Sequence, residues 1–366
     1  MKNGIRCGNV YIGGGAPVSI QSMLSVNTAD VAAALYQIEE LKEAGCDIVR
    51  LAVPDFDAAE ALGRIKRELN LRYGEKSVPL VADVHFDYRL AIAAIENGAD
   101  KIRVNPGNIG SADNIKQVVA AAKERGVAIR VGVNAGSLEN DILVKYGGAT
   151  AEGLAESALR NIELIENMDF SEIVVSVKSH DVRLNYEAHK ILHRKMKYPL
   201  HIGITESGTG INGIIKSAIG IGSLLLSGIG DTVRVSLTGD PVKEVLYAKG
   251  ILEAVGLRDS GIEIISCPTC GRTKVDLEKI TAELEEKLGP IKKQREREGK
   301  RRISVAVMGC AVNGPGEAKD ADIGVACGDG KGVFFANGEI VKTVSEDRIA
   351  DELIKNIEAG INERNI

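Results

Sequence analysis

The sequence predicts an α/β protein in which strands alternate with helices over residues 1–257, followed by a smaller α+β unit at 258–366. A length of 366 residues exceeds that of a typical single domain. The composition agrees, because 41 glycines, 4% aromatic residues and no tryptophan favour packing through small aliphatic side chains over an aromatic-rich β-sandwich.

Eight short apolar runs rich in β-branched residues predict the strands of the first unit. In chain order they are VSIQSML (18–24), DIVRLAV (47–53), VPLVADV (78–84), DKIRVNP (100–106), VAIRVGVN (127–134), EIVVSVK (172–178), LHIGIT (200–205) and DTVRVSL (231–237). The segments between them, such as DVAAALYQIEELKEAG (30–45) and YRLAIAAIENGAD (88–100), have helical periodicity, and several end at glycine, a common helix terminator.

Alternation of strand and helix indicates parallel strands joined by right-handed crossovers. Eight such units over about 250 residues match a (β/α)8 barrel, the TIM barrel. The alternative is an open, doubly wound sheet, which more naturally has about five to seven strands and a glycine-rich nucleotide loop. The glycines at 13–15 precede the first strand and open no helix, so they are not that loop.

The alternation stops near residue 257. LRDSGIEIISCPTCGR (257–272) predicts a strand that runs into two cysteines, and KVDLEKITAELEEKLGPIKKQREREGK (274–300) predicts a charged amphipathic helix. RRISVAVMGC (301–310) predicts a strand into a third cysteine, and GVFFANGEIVKTV (332–344) predicts a hairpin that turns at Asn337-Gly338.

Charge and hydropathy exclude several functional classes. The net charge of −5 does not indicate nucleic acid or an anionic membrane as a partner. No apolar run approaches the roughly 20 residues that span a bilayer, and the first residues lack the apolar region of a signal peptide. We therefore expect a cytoplasmic protein, in which six cysteines are metal ligands or free thiols rather than disulfides.

Five basic residues lie within strands that are otherwise apolar. They come from five different strands and converge on one mouth if the barrel is correct: Arg50, Arg103, Arg130, Lys178 and Arg234. Such a ring suits a doubly charged anion such as a diphosphate, because arginine pairs phosphate oxygens bidentately. The alternative is that each cation pairs with a carboxylate, among which Asp47, Asp83, Asp100 and Asp231 are available.

Further polar residues follow the strands at the same end. They are Asp83, His85, Asn105, Asn134, Glu206 and Ser236. Glu206 and Asp83 are candidate proton carriers, because a carboxyl group in a cationic pocket is well placed for that role. A metal in the barrel is not expected, since no second histidine lies at ligand spacing from His85.

Three cysteines of the second unit predict a metal site: Cys267, Cys270 and Cys310. A fourth ligand could be Cys327, which gives a structural zinc site, or Glu317, which follows a turn-forming NGPG run. Three thiolates and one carboxylate suit a [4Fe–4S] cluster with one distinct iron, because a carboxylate is harder and more easily displaced than a thiolate. Cys7 and Cys46 are interpreted as ordinary small residues of the barrel.

Eight motifs resemble those of the 4-hydroxy-3-methylbut-2-enyl diphosphate synthases of the methylerythritol phosphate route to isoprenoids. They are VRLAVPD, LVADVHFDYRLA, KIRVNPGNIG, VVSVKSHD, LHIGITESG, TVRVSLTGDP, SCPTCGR and MGCAVNGPGEAKDADIGVA. The resemblance runs almost from end to end, and the chain lacks the large insertion of the plant-type form, as the shorter bacterial type does. It implies a TIM barrel followed by a cluster domain similar to those of sulfite and nitrite reductases.

The resemblance also implies an oxidoreductase with one [4Fe–4S] cluster per chain, held by Cys267, Cys270, Cys310 and Glu317, with no ligand role for Cys327. The implied reaction is reductive ring opening of 2-C-methyl-D-erythritol 2,4-cyclodiphosphate with loss of water, and the implied donor is reduced flavodoxin or ferredoxin. Glu206 is expected to handle protons, with Asp83 and Asn134 positioning the substrate.

The joint near residues 256–262 is short, so we expect a homodimer in which the cluster domain of one subunit closes over the barrel of the other, as in that family. The basic run IKKQREREGKRR (291–302) is interpreted as a solvated helix end, with docking of an acidic electron carrier as the alternative. Two rival functions remain at this point: a barrel lyase or aldolase with structural zinc, and a non-enzymatic electron carrier or scaffold.

Overall fold

The structure is a computed structural model with two compact units, Met1–Arg258 and Asp259–Ile366. Its description covers residues 4–107, 109–310 and 314–363, except the side chains of residues 297, 314, 315, 317 and 359–363. Within these residues, no helix combines the length and apolar composition that crossing a membrane requires.

The first unit contains eight parallel strands, each followed by helix. After the hairpin strands β1 (Ile5–Cys7) and β2 (Val10–Ile12), the barrel strands are β3 (Ser19–Met23), β4 (Ile48–Ala52), β5 (Leu80–Asp83), β6 (Lys101–Val104), β7 (Ala128–Asn134), β8 (Ile173–Lys178), β9 (His201–Ile202) and β10 (Thr232–Val233). The helices are α1 (Val31–Ala44), α2 (Phe56–Tyr73), α3 (Tyr88–Glu96), α4 (Ala112–Arg125), α5 (Asn140–Tyr146), α6 (Ala151–Glu166), α7 (Val182–Lys195), α8 (Gly210–Leu226) and α9 (Pro241–Ala254).

The eight strands form a closed barrel. Their order is β8-β7-β6-β5-β4-β3-β10-β9, and the ring closes through a parallel bridge between Val175 and Leu200. This closure confirms the predicted TIM barrel and excludes the open sheet. The seventh and eighth barrel strands, β9 and β10, are two residues long and so shorter than predicted. A further backbone hydrogen bond joins them beyond these bounds, from Arg234 N to Ile202 O at 3.0 Å.

Side chains alternate between the two faces of the strands. Outward residues such as Ile20, Val49 and Ile129 form one apolar cluster with the surrounding helices. Inward residues at the amino ends of the strands pack against the β1–β2 hairpin, where Ile5 and Ile12 join a second buried cluster. The hairpin therefore closes the bottom of the barrel, a feature that the sequence analysis did not predict.

The second unit is a five-stranded sheet with helices. Its strands are β11 (Ile262–Ser266), β12 (Ile303–Met308), β13 (Ile323–Gly328), β14 (Lys331–Ala336) and β15 (Glu339–Ser345), hydrogen-bonded in that order, the first three parallel and the last two antiparallel. Its helices are α10 (Leu277–Arg297), α11 (Gly314–Asp320) and α12 (Ile349–Glu363). Asn337 and Gly338 have φ of 50° and 82°, so they form the tight turn that the sequence predicted between β14 and β15.

Gly203 tests the close approach of the last two barrel strands. A Cβ at this position would lie 2.4 Å from the carbonyl oxygen of Arg234, a backbone atom that cannot rotate away. We expect Gly203→Ala to lower the free energy of unfolding by about 1–3 kcal/mol, as overpacking does, measured by denaturant titration. Gly250 in α9 faces open space, so Gly250→Ala is the control and should stabilise by up to about 1 kcal/mol. Equal effects would contradict this account.

Candidate active site

A polar cavity of about 110 Å³ lies at the carboxyl ends of the barrel strands. We call this end of the barrel the mouth. Its lining includes nine of the residues that the sequence analysis singled out: Arg50, Asp83, His85, Arg103, Arg130, Asn134, Lys178, Arg234 and Ser236. Gly132, Ser176 and Thr205 complete the lining. The five cations that the sequence placed on separate strands therefore do converge on one cavity.

Two predicted site residues do not line this cavity. Asn105 is buried beside the mouth, where its side-chain oxygen accepts a hydrogen bond from Gly107 N at 3.2 Å. Glu206 is exposed on the loop after β9, and its φ of 52° is unusual for a residue with a side chain. A strained, exposed carboxylate beside a cationic cavity is a feature often found at functional sites.

Asp83 is the carboxylate at the centre of the mouth. Its oxygens lie 3.4 Å from Arg103 Nη1 and 3.8 Å from Arg50 Nε, and His85 Nε2 is 3.4 Å away. Burial alone would raise the pKa of Asp83, but the Arg50 charge and the other cationic neighbours outweigh it and hold this pKa well below its usual range. Asp83 is therefore ionised at neutral pH, which suits orienting the guanidinium groups better than donating a proton.

A second carboxylate reaches the mouth from α9. Glu244 Oε2 lies 3.8 Å from Arg234 Nη2, and its Oε1 accepts a hydrogen bond from Leu237 N at 2.8 Å. Glu244 was not among the predicted site residues, although a glutamate on the buried side of a helix, next to Val245 and Ala248, is a signal that the sequence contains. Burial raises the pKa of Glu244 despite the nearby Arg234 charge.

The remaining two cations have no carboxylate partner. Arg130 and Lys178 are 2% and 6% exposed, and neither side chain forms a hydrogen bond or an ion pair with any described residue. Of the carboxylates proposed as alternative partners, Asp47 pairs with Arg258 and Asp100 with Lys66 instead. Five cations thus face only two carboxylates, and the mouth holds an excess of positive charge.

This excess shifts the acidity of the basic groups themselves. Burial, reinforced by Arg234 and Arg130, lowers the pKa of Lys178 well below its usual range. Burial and the Arg50 charge lower the pKa of Arg234 to about 10. An anion in the mouth would relieve this repulsion, so the arrangement is electrostatically suited to bind one.

The three predicted cluster cysteines lie at one edge of the second unit. Cys267 directly follows β11, and its Sγ accepts a hydrogen bond from Gly309 N at 3.2 Å, immediately before Cys310. Hydrogen bonds from Arg272 lower the pKa of the exposed Cys270 thiol, which favours the thiolate that a metal requires. Within the described residues, no three Cys, His, Asp or Glu side chains are grouped closely enough to form a metal site as they stand.

Cys327 and Glu317 are the two candidates for the fourth ligand, and the structure describes the side chain of Cys327 but not that of Glu317. Cys327 is fully buried in an apolar cluster, and burial raises the pKa of its thiol to about 12, which disfavours the thiolate that a zinc site would need. Glu317 belongs to α11, but its side chain lies outside the described residues. Cys7 and Cys46 are fully buried barrel thiols with pKa values raised by burial to about 11 and about 12.

The basic run at the end of α10 is largely neutralised within its own unit. Arg301 pairs with Asp322, Arg302 lies 3.3 Å from Glu263, and Lys300 lies 2.7 Å from Glu298. Arg295 is buried and donates to the carbonyl of Gly261 at 3.2 Å. These contacts favour the interpretation of the run as a solvated helix end rather than as a docking patch for an electron carrier.

The fold and the mouth define a TIM-barrel protein with a cationic cavity, joined to a small cysteine-bearing α+β unit. Residues 2–249 match the family model described as the GcpE TIM-barrel domain, and residues 263–359 match the GcpE protein C-terminal domain. The chain belongs to the GcpE family, in agreement with the resemblance found in the sequence.

Curated relatives are similar over almost their whole length. The 4-hydroxy-3-methylbut-2-en-1-yl diphosphate synthase (flavodoxin) of Caldanaerobacter subterraneus is 56% identical, covering 98% of this chain and 97% of the relative. The proteins of the same name from Clostridium perfringens and Anoxybacillus flavithermus are each 54% identical, covering 97% of this chain and 97% and 93% of theirs. Among solved structures, a type I 3-dehydroquinate dehydratase from Clostridium difficile covers 68% of this chain and 98% of its own, with 17% identity and a TM-score of 0.47, from which nothing further follows.

Asp83→Asn tests the electrostatics of the mouth. It leaves Arg50 and Arg103 without a counter-charge, so we expect the free energy of unfolding at pH 7 to fall by about 3 kcal/mol. The pKa of Asp83 is lower in the folded than in the unfolded chain, so its contribution is present above the ordinary aspartate pKa of about 4 and is lost as the pH falls below it. The difference between the two proteins should therefore shrink below that pH, as measured by denaturant titration.

Asp113→Asn on the exposed first turn of α4 is the control and should change stability by less than about 0.5 kcal/mol. A difference between wild type and Asp83→Asn that stayed constant down to acid pH would contradict the assignment.

Proposed function

We propose that this chain catalyses the reductive ring opening of 2-C-methyl-D-erythritol 2,4-cyclodiphosphate to 4-hydroxy-3-methylbut-2-enyl diphosphate, with loss of water. The observation that carries the proposal is the pair of buried basic side chains, Arg130 and Lys178, that have no carboxylate partner among the described residues. A cyclic diphosphate supplies the two negative charges that this mouth lacks. The names of relatives that are 50–56% identical over nearly the full length support the same reaction.

The residues of the mouth bind and orient the substrate in this proposal. Arg130 and Lys178 contact the diphosphate directly, together with Arg50, Arg103 and Arg234. Asp83 fixes the arginines on either side of it, so that they do not have to reorganise when the anion arrives. The remaining polar groups that we assign to substrate binding are His85, Asn105, Asn134 and Ser236.

Proton handling is assigned to Glu206 in this proposal. The release of a hydroxyl group as water requires a proton, and Glu206 is exposed to solvent from which it can be reprotonated. Asp83 does not compete for this role, because its low pKa keeps it ionised. Asn134, at the end of β7, positions the carbon skeleton with its amide.

We propose that Cys267, Cys270, Cys310 and Glu317 hold one [4Fe–4S] cluster. The three cysteines fit such a group, since Cys267 Sγ accepts a hydrogen bond from Gly309 N, next to Cys310, and the Cys270 thiol has a lowered pKa. When bound, the cluster supplies single electrons, so a two-electron reduction needs two transfers. We propose reduced flavodoxin as the donor, with ferredoxin as the second candidate, and the cytoplasm as the compartment in which they meet.

A homodimer is the proposed assembly, with the cluster domain of one subunit serving the barrel of the other. An exposed apolar stripe on α8 supports a second copy as a partner. Ile211, Ile215 and Ile219 repeat at intervals of four residues, and they are 72%, 49% and 56% exposed. Isolated exposed apolar residues are ordinary, but a stripe on one helix face is typical of an interface.

The Arg130→Ala variant tests substrate binding. It removes a buried cation that has no other partner, so we expect the dissociation constant for the cyclodiphosphate to rise by about 100-fold, the loss of one strong charge-assisted contact. Isothermal titration calorimetry measures it. Arg160→Ala on the exposed face of α6 is the control and should leave affinity unchanged. An unchanged constant for Arg130→Ala would remove this residue from the diphosphate site.

The ligand set is tested by metal content and turnover on protein purified without oxygen. Wild type and Cys327→Ala should each contain about four irons and four sulfides per chain, and Cys267→Ala should lose most of them. Glu317→Ala should retain most of the iron but lose turnover. The three cysteines suffice to hold most of the iron, whereas we expect the reaction to need the exchangeable carboxylate ligand. One zinc and no sulfide in the wild type would overturn the proposal and favour the barrel lyase.

Sedimentation velocity tests the assembly. The wild type should sediment as a dimer, and Ile215→Lys should shift it to a monomer with little turnover. Leu71→Lys is the matched control, since Leu71 is 82% exposed on α2, and it should remain dimeric. A fully active wild-type monomer would refute catalysis between subunits.

A further inference from the structure

A lysine lies inside the barrel below the mouth. Lys101 is the first residue of β6, two positions before Arg103, so both side chains point into the barrel. Lys101 is 0% exposed, and its Nζ has no hydrogen-bond partner among the residues that the structure describes. The neighbouring acid, Asp100, is engaged elsewhere, because it lies 2.5 Å from Lys66 Nζ and accepts a hydrogen bond from Leu80 N at 2.8 Å.

The groups that face Lys101 do not compensate its charge. Cys7 on β1 is a buried thiol, and Arg50 on β4 and Arg130 on β7 are cations. His201 on β9 is also fully buried, and neither of its ring nitrogens has a hydrogen-bond partner among the described residues. Burying an unpaired ammonium among other cations is costly, and the cost is lowest when the group loses its proton. The protonation of Lys101 should therefore change when a charged ligand enters the mouth.

We propose that Lys101 contributes its charge to the diphosphate site and gains a proton when a diphosphate dianion binds above it. This inference rests on the proposed function and adds a residue that does not touch the substrate. Bound dianion lowers the potential in the barrel and favours the ammonium form, so binding and protonation assist each other. Opening of the cyclic diphosphate frees one more phosphate oxygen, so the charged lysine also stabilises the product.

The acidity of the lysine sets the pH range of the effect. Burial, with smaller contributions from Arg130 and Arg50, lowers the pKa of Lys101 to about 8, although the Asp100 carboxylate acts in the opposite direction. Below pH 8 the lysine is largely charged before the ligand arrives, and above it the lysine is largely neutral. Proton uptake on binding should therefore be greatest between about pH 8 and pH 9.

The experiment is calorimetric titration of the anaerobically purified full chain with the cyclodiphosphate, at pH 8.5 in two buffers of different ionisation enthalpy. The cyclodiphosphate is the right probe because its phosphates are diester-like and do not titrate in this range, unlike inorganic pyrophosphate. We expect wild type to take up about half a proton more than Lys101→Met. Lys178 also contributes to uptake, and the difference between the two proteins isolates Lys101.

The affinity supplies a second readout that a purely structural role would not move. The ratio of dissociation constants, Lys101→Met over wild type, should be about ten at pH 7 and should fall as the pH rises to 9.5. A constant ratio with equal proton uptake would overturn the inference. Lys123→Met, which removes a half-exposed lysine on α4, is the control and should match wild type at each pH.

The variant is expected to fold, because an apolar side chain of similar length removes the cost of burying an unpaired ammonium group. Lys101→Gln provides a second test, with the same loss of proton uptake. Wild type that binds the cyclodiphosphate without taking up a proton would overturn the role of Lys101 and leave the proposed function intact. Wild type that does not bind it at all would overturn both.

Discussion

The interior of the barrel is organised around positive charge that the protein does not neutralise by itself. Within the described part of the chain, Arg130 and Lys178 are buried without an acidic partner, and only Asp83 and Glu244 offset the three other cations of the mouth. Uncompensated buried charge opposes folding, so the rest of the unit must supply the stability that holds it in place. Excess charge of this kind is costly for the fold but gives a site its affinity for an anion.

The apolar packing around the barrel provides the stability that offsets the buried charge. Outward side chains of all eight strands pack against the helices in one apolar cluster, and the β1–β2 hairpin closes the opposite end with a second one. Close backbone approach helps to shape the mouth. Gly132 leaves room for the Arg103 side chain, since a Cβ there would lie 2.8 Å from Nε. A rigid frame keeps the guanidinium groups oriented before any ligand arrives.

The local elements were predictable because their signals are local. Asp30 caps α1 by accepting a hydrogen bond from Ala33 N at 3.1 Å, and Gly45 ends it with φ of 100°, as the sequence between them indicated. The five cations were predictable as a group because parallel strands bring their carboxyl ends to one mouth. The ion pair of Arg234 was not predictable, since its partner Glu244 comes from α9 and depends on helix packing. The closure of the barrel bottom by the β1–β2 hairpin and the exposure of Glu206 were not predictable for the same reason, because they depend on contacts between residues far apart in the sequence. The similarity of the second unit to sulfite and nitrite reductase cluster domains stays a prediction.

A crystal structure of the anaerobically purified protein with the cyclodiphosphate bound would show whether the unpaired cations of the mouth bind the anion. We expect the diphosphate to lie in the barrel mouth with its oxygens within hydrogen-bond distance of Arg130 and Lys178. A diphosphate bound elsewhere, with these two side chains still without an anionic partner, would contradict it.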